Sequence, residues 1–298
     1  GFDKLASAHV MNELARFAPR EAVLSAGAAE NRDICDFLTG KLGALLEQGG
    51  EKFDFMTASM RLCEQFGKQS VDDFALGGAN APVCAAGALL AYLEETQKFD
   101  LSHISELEVV TTSKYMELDY TALRSLELTQ SLRLGEKKGS LLWVLDRTQT
   151  PMGARMLRSW VERPLLSPAP IKRRLSAVSE LFGNTVLRGE TMERLSNISD
   201  MRRLVGKAVY GTANARDLKV LGDCCAVLPE LAGALSGCTS PMLREICEMD
   251  TLADIAKDIR AVICDEPPFS VREGGMLRPG YNERVDYLRS VRDNGTDM

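Results

Sequence analysis

Between Thr150 and Pro164 the chain alternates apolar and polar residues with a helical period. Gly153, Met156, Leu157, Trp160 and Val161 share one face, and Arg155, Arg158, Ser159 and Glu162 share the other. Thr150 is suited to cap this helix through its hydroxyl. Pro151 suits the first helical position, where no amide donor is needed. Pro164 cannot continue the helix and turns Arg163 away from helical geometry. A glycine on the apolar face costs roughly 1 kcal/mol of helix propensity against alanine. The expected compensation is the close approach of another backbone, which makes this a tightly packed core helix rather than a ligand site.

The same reading extends along the chain. "HVMNELARF" predicts a helix ending near Phe17, followed by a short strand at Ala22 to Leu24. "NRDICDFLTGKLGALLEQ" predicts another helix, "FDFMTASMRLCEQFG" and the loop "DDFALGG" follow, and Asn80 opens a long helix, "APVCAAGALLAYLEETQKF". The period then changes, and "ELEVVTT" and "YMEL" predict a strand pair. From Asp119 onward helices dominate: "YTALRSLELTQSL", "GSLLWVLDRT", the stretch described above, and then a series from Ser167-Pro168 to about residue 265. Pro267-Pro268 interrupt it. A short strand, two glycine turns at Gly274-Gly275 and Gly280, and a helix from about Asn282 complete the pattern. The fold class is α+β overall and predominantly α, with a small α/β portion followed by an irregular helical domain.

Composition changes this picture little. The chain has 298 residues, 45% hydrophobic and 26% charged, which allows two domains with sizeable cores. The eight cysteines include no C-x-x-C pair and lie far in sequence from the two histidines. They read as buried free thiols of a reducing cytoplasm rather than zinc ligands. No apolar run is long enough to span a membrane. The start lacks methionine and the tail "RDNGTDM" is polar, as expected of an excised piece of a longer chain.

Charge is uneven. The net is −6, but residues 150–220 hold 13 Lys and Arg against 6 Asp and Glu. The excess includes Lys172, Arg173, Arg174, Arg202, Arg203 and Lys207. These six are candidates for a face turned toward DNA or an acidic domain, or for a plain solvated helix surface.

Several segments together resemble the MutS family of DNA mismatch-recognition proteins. "TPMGARMLRSWVERPLL" is similar to that family's most distinctive stretch. "LDYTALRSLELTQSL", "GSLLWVLDRTQTPMG", "DMRRLVGKAVYGTANARDLKVLG" and "VREGGMLRPGYNERVDYLRS" resemble its other core segments, in family order. "NAPVCAAGALLAYLEETQKFDLSHISEL" resembles the last helix of the family's connector domain. The resemblance implies an N-terminally truncated connector at 1–101, a helical core or lever domain at 102–280 with a short β segment near its start, and the start of the lever helix at 281–298.

The resemblance also implies a transmission role and no chemistry of the chain's own. Catalytic, cofactor and metal residues are expected to be absent. Thr150, Pro151, Gly153, Trp160, Pro164, Gly274, Gly275 and Gly280 are expected to be structural. For the full-length protein it implies ATP and Mg as cofactors. It also implies mismatched double-stranded DNA and MutL as partners, homodimerisation, no membrane contact and a bacterial cytoplasmic, nucleoid-associated location. The family's Phe-x-Glu mismatch motif is not supplied by "FDF" or "FGK", and no G-x-x-x-x-G-K-[ST] phosphate loop occurs. The alternative is an autonomous helical scaffold with a basic nucleic-acid-binding face at 150–220.

Overall fold

The computed structural model describes residues 4–74, 76, 79–97, 101–109 and 114–294. It is predominantly helical, with one small two-stranded sheet among the described residues. The chain falls into two compact units, residues 1–144 with 161–164, and residues 145–160 with 165–298. Among the described residues no helix is long and apolar enough to cross a membrane.

In the first unit, helix α1 (Lys4–Phe17) precedes strand β1 (Glu21–Leu24), and the short helices α2 (Ala26–Ala29) and α3 (Arg32–Asp36) lead to β2 (Leu45–Gln48). The strands pair in parallel, Glu21 opposite Leu45 and Leu24 opposite Gln48. This corrects the expectation of a single helix over "NRDICDFLTGKLGALLEQ". The helical backbone widens into a π turn at Phe37–Lys41 and stops where Gly43 takes φ +68°, which frees Leu45 to donate its N–H to Arg20 O at 2.9 Å. Ile34, Leu38 and Ala44 are buried under this layer, with Val10, Met11 and Leu14 of α1 packed on them.

A second cluster, Leu62, Phe74, Val83, Leu90 and Leu101, lies between α4 (Phe55–Phe66) and α5 (Asn80–Gln97). Leu38 and Leu62 are fully buried; each such side chain contributes about 1.5–3 kcal/mol. The two helices approach closely at Gly87. A Cβ built there would stand 2.5 Å from the Cβ of Ala58 and 2.6 Å from its Cα. The expected strand pair does not form in the described residues. Residues 106–109 are irregular, 110–113 lie outside the described residues, and Met116 instead donates its N–H to Pro164 O at 2.8 Å. Asp119 caps α6 (Tyr120–Ser125), accepting from Ala122 N–H, but that helix is shorter than the pattern predicts. A short helix, α7 (Leu141–Leu145), follows.

The second unit is helical: α8 (Pro151–Glu162, its last two residues counted with the first unit), α9 (Pro168–Gly183), α10 (Thr185–Ser196), α11 (Met201–Val209), α12 (Ala215–Leu235), α13 (Pro241–Cys247), α14 (Ala253–Val262) and α15 (Glu283–Asn294). One core cluster joins Ala177, Leu235, Cys238 and Leu243. Another contact sets Gly222 of α12 against Ile259 of α14, whose Cγ2 lies 2.8 Å from a built Cβ. Where a strand was expected after Pro268, the chain makes a 3-10 turn, Val271–Glu273, closed by a Ser270–Glu273 capping box. Gly274, Gly275 and Gly280 all take positive φ there, a conformation L residues adopt at a cost. Asn282 accepts the Val285 N–H to start α15.

Candidate functional site

The distinctive stretch begins with a compact turn. Asp146 accepts hydrogen bonds from the N–H and hydroxyl of Thr148 at 3.1 and 2.6 Å. The Thr150 hydroxyl then accepts from Gly153 N–H at 3.0 Å, and the Thr150 carbonyl from Ala154 N–H at 3.0 Å. Thr150 therefore caps α8 with Pro151 in the first turn, and the helix ends before Pro164.

Gly153 has a different reason for being glycine than the one the sequence suggests. The expected neighbouring backbone is not there. The atoms nearest a built Cβ are Thr150 Oγ1 at 3.0 Å and the Thr148 side chain at 3.5 and 3.6 Å. The space is filled by the helix's own cap, folded over the third residue of the first turn. Nor is α8 a buried core helix. None of its residues is fully buried, and Met156 on the apolar face is 57% exposed.

Polar contacts fix α8 within the second unit. Arg155 donates from Nη1 and Nη2 to the two carboxylate oxygens of Asp200, both at 2.8 Å. Asp200 also accepts the Arg203 N–H at the start of α11. These charge-assisted bonds hold the Asp200 carboxyl down at about 2, the Arg155 pairing contributing most. The Arg174 guanidinium lies 3.6 Å from the centroid of the Trp160 ring, joining α9 to α8.

The six basic candidates are only partly available to a partner. Arg173 is paired with Glu245, Arg174 covers Trp160, and Lys207 donates to both oxygens of Asp217 at 2.8 and 3.0 Å. That pairing, together with the Asn214 N–H, lowers the Asp217 carboxyl below its usual range. Lys172, Arg202 and Arg203 have exposed residue surfaces. Three of the six are thus engaged inside the unit.

Among the described residues no group of three or more His, Cys, Asp or Glu is placed to hold a metal, and all eight cysteines are free thiols. The one Gly-Lys step with a phosphate-loop flavour, Gly67-Lys68, terminates α4. Gly67 has φ +63°, and the two amides already donate to Glu64 O and Cys63 O. Both donors are taken up by the helix's own carbonyls, so this Gly-Lys step is a helix end and not a phosphate loop.

Two domain descriptions match the sequence in order. A family model described as MutS domain II matches residues 2–105, and one described as MutS domain III matches residues 121–294, more than half of the chain. The chain belongs to the MutS family. Relatives described as DNA mismatch repair protein MutS include that of Symbiobacterium thermophilum, 40% identical over 287 residues, covering 96% of this chain and 33% of the relative. That of Lachnoclostridium phytofermentans is 43% identical over 244 residues, covering 82% and 26%. That of Brevibacillus brevis is 45% identical over 212 residues, covering 71% and 25%. The chain spans about a third or less of the length of these relatives. Its two matched portions are the connector and core of a MutS mismatch repair protein. The reading of an autonomous scaffold with a basic nucleic-acid face is not favoured. Sequence reasoning missed the Arg155–Asp200 lock of this MutS core, because residues 45 apart leave no periodic signal of their pairing.

Proposed function

We propose that this chain is the transmitting portion of a MutS-type protein that couples binding of mismatched double-stranded DNA to ATP binding and hydrolysis. The observation that carries the proposal is the ordered match of connector and core over nearly the whole chain. The internal architecture supports it. Helices are held to one another by discrete locks such as Arg155–Asp200 and Lys207–Asp217, and the chain contributes no phosphate loop. In this reading ATP and Mg act in the whole protein, MutL is its partner, and homodimerisation is a property of the whole protein. The whole protein works in the bacterial cytoplasm, in association with the nucleoid.

The test uses the full-length parent protein. Arg155→Ala removes the bidentate bond that holds α8 to the start of α11. Basal ATP hydrolysis is expected to stay near wild type, while the stimulation by mismatched over matched duplex falls several-fold. Wild-type stimulation in a folded Arg155→Ala protein would sink the coupling reading.

A further inference from the structure

The first unit holds a cavity of about 240 Å³ between α1, the segment 115–118 and residues Glu162 and Arg163. Its chemistry is set by two guanidinium groups. The Arg163 side chain is only 21% exposed, and its guanidinium lies 5.8 Å from the Tyr115 ring centroid and 6.0 Å from that of Phe17. Its acidic neighbour, Glu13, stands at 3.8 Å, beyond hydrogen-bond reach. Among the described residues Arg163 donates no hydrogen bond, although a guanidinium carries five donors in a fixed fork. None of its nitrogens is both buried and unpartnered, so the fork stays open to solvent and to a ligand.

Arg16 lies beside it. Its side chain is 19% exposed, is paired with Glu13, and stands 5.3 Å from the Phe17 ring centroid. Burial, and then the charge of Arg163, lower the Arg16 guanidinium below its ordinary value, with Glu162 opposing. Two like charges are therefore held together at the wall of an open cavity, with one carboxylate between them. An oxyanion relieves the repulsion and accepts from both forks. Phe17, Tyr115, Met116, Leu118 and Leu123 supply the apolar part of the lining, and Phe17 is 70% exposed, so a flat apolar group has a surface to cover. Glu117 and Glu162 also line the space, Glu117 facing His9 Nδ1 at 3.4 Å, and they disfavour a polyphosphate.

We propose that this cavity binds a small aromatic anion, a monophosphate or carboxylate joined to a ring, with its oxyanion on the forks of Arg163 and Arg16 and its ring against Phe17. Glu13 is the internal competitor that the ligand's oxyanion displaces from between the two guanidiniums.

Calorimetric titration of the 298-residue chain with phenyl phosphate is the test. Saturable one-site binding is expected, with phenol and inorganic phosphate each binding more weakly. Adenosine monophosphate and phenylacetate, titrated in parallel, distinguish a nucleotide from an aromatic acid as the source of the anion. Arg163→Gln should weaken phenyl phosphate about tenfold or more, since it removes charge-assisted donors, and Glu13→Gln should strengthen it. Absence of saturable binding with every probe overturns the proposal, as does equal affinity in a folded Arg163→Gln chain. If Arg163→Gln does not fold, Glu13→Gln decides: affinity that is unchanged or weaker removes the site.

Discussion

Gly153 and Gly87 show how one residue type serves two purposes. At Gly153 an added methyl meets the cap hydroxyl of Thr150 at 3.0 Å, a side-chain atom that can rotate away. Losing that cap bond costs about 1 kcal/mol, and the gain in helix propensity on Gly→Ala is of similar size. Gly153→Ala should therefore change stability little. At Gly87 the methyl meets the Cα and carbonyl of Ala58 at 2.6 and 2.9 Å, and backbone cannot step aside. Overpacking of that kind costs about 1–3 kcal/mol, so Gly87→Ala should destabilise despite the same propensity gain. Urea denaturation of the two variants checks this, and the reverse ranking would overturn it. The sequence pointed to the wrong glycine because the apolar face of α8 shows where a side chain points, not what stands opposite. "APVCAAGALLAYL" is so rich in small residues that Gly87 did not stand out.

Several elements of the second unit are joined through carboxylates that hold backbone amides. Asp200 caps α11 while gripping Arg155 of α8, Glu180 of α9 accepts the Thr239 and Ser240 N–H groups at 2.6 and 2.8 Å ahead of α13, and Asp217 closes the capping box of α12. All three carboxyls are lowered, Asp200 from 3.8 to about 2. A depressed carboxyl contributes stability that is fully present above its unfolded value and is lost as pH falls through its folded value. The melting temperature should thus hold at pH 5 and drop between about pH 4 and 2. In Arg155→Met that drop should be shallower, because Asp200 then titrates nearer its ordinary value. An identical pH profile in the variant would show that the lock contributes nothing. At this scale the helices were legible, since period, caps and prolines are local signals. Strand β2 was not, because "LLEQ" continues a helical pattern and its partner lies across the α2–α3 crossover. Only the Gly43 break, preceding it by two residues, could have marked it.

At the scale of the whole molecule, the chain alone should neither bind ATP tightly nor hydrolyse it, and nucleotide turnover that copurifies through several columns would contradict this. Its affinity for DNA should be weak and indifferent to a mismatch. A net charge of −6 opposes phosphate attraction, and Arg173, Arg174 and Lys207 are already engaged. Non-specific binding of roughly 10⁻⁴ M or weaker, falling as salt rises, is the expected anisotropy result with matched and G·T duplexes. Tight, salt-resistant preference for the mismatch would place recognition in this chain. The parallel pairing of β1 with β2 carries one more consequence, and it concerns time. A hairpin can close through its own turn, but these strands meet only after the whole crossover through α2 and α3 has been laid down, so loop-closure entropy is spent before any ladder bond returns it. Helix α12, stabilised by neighbours close in sequence, has no such wait. In pulsed hydrogen exchange during refolding, the amides of Leu45 and Gly49, which donate to Arg20 O and Leu24 O, should gain protection later than those in the middle of α12. Simultaneous protection would mean that the sheet is assembled early, with its crossover already in place.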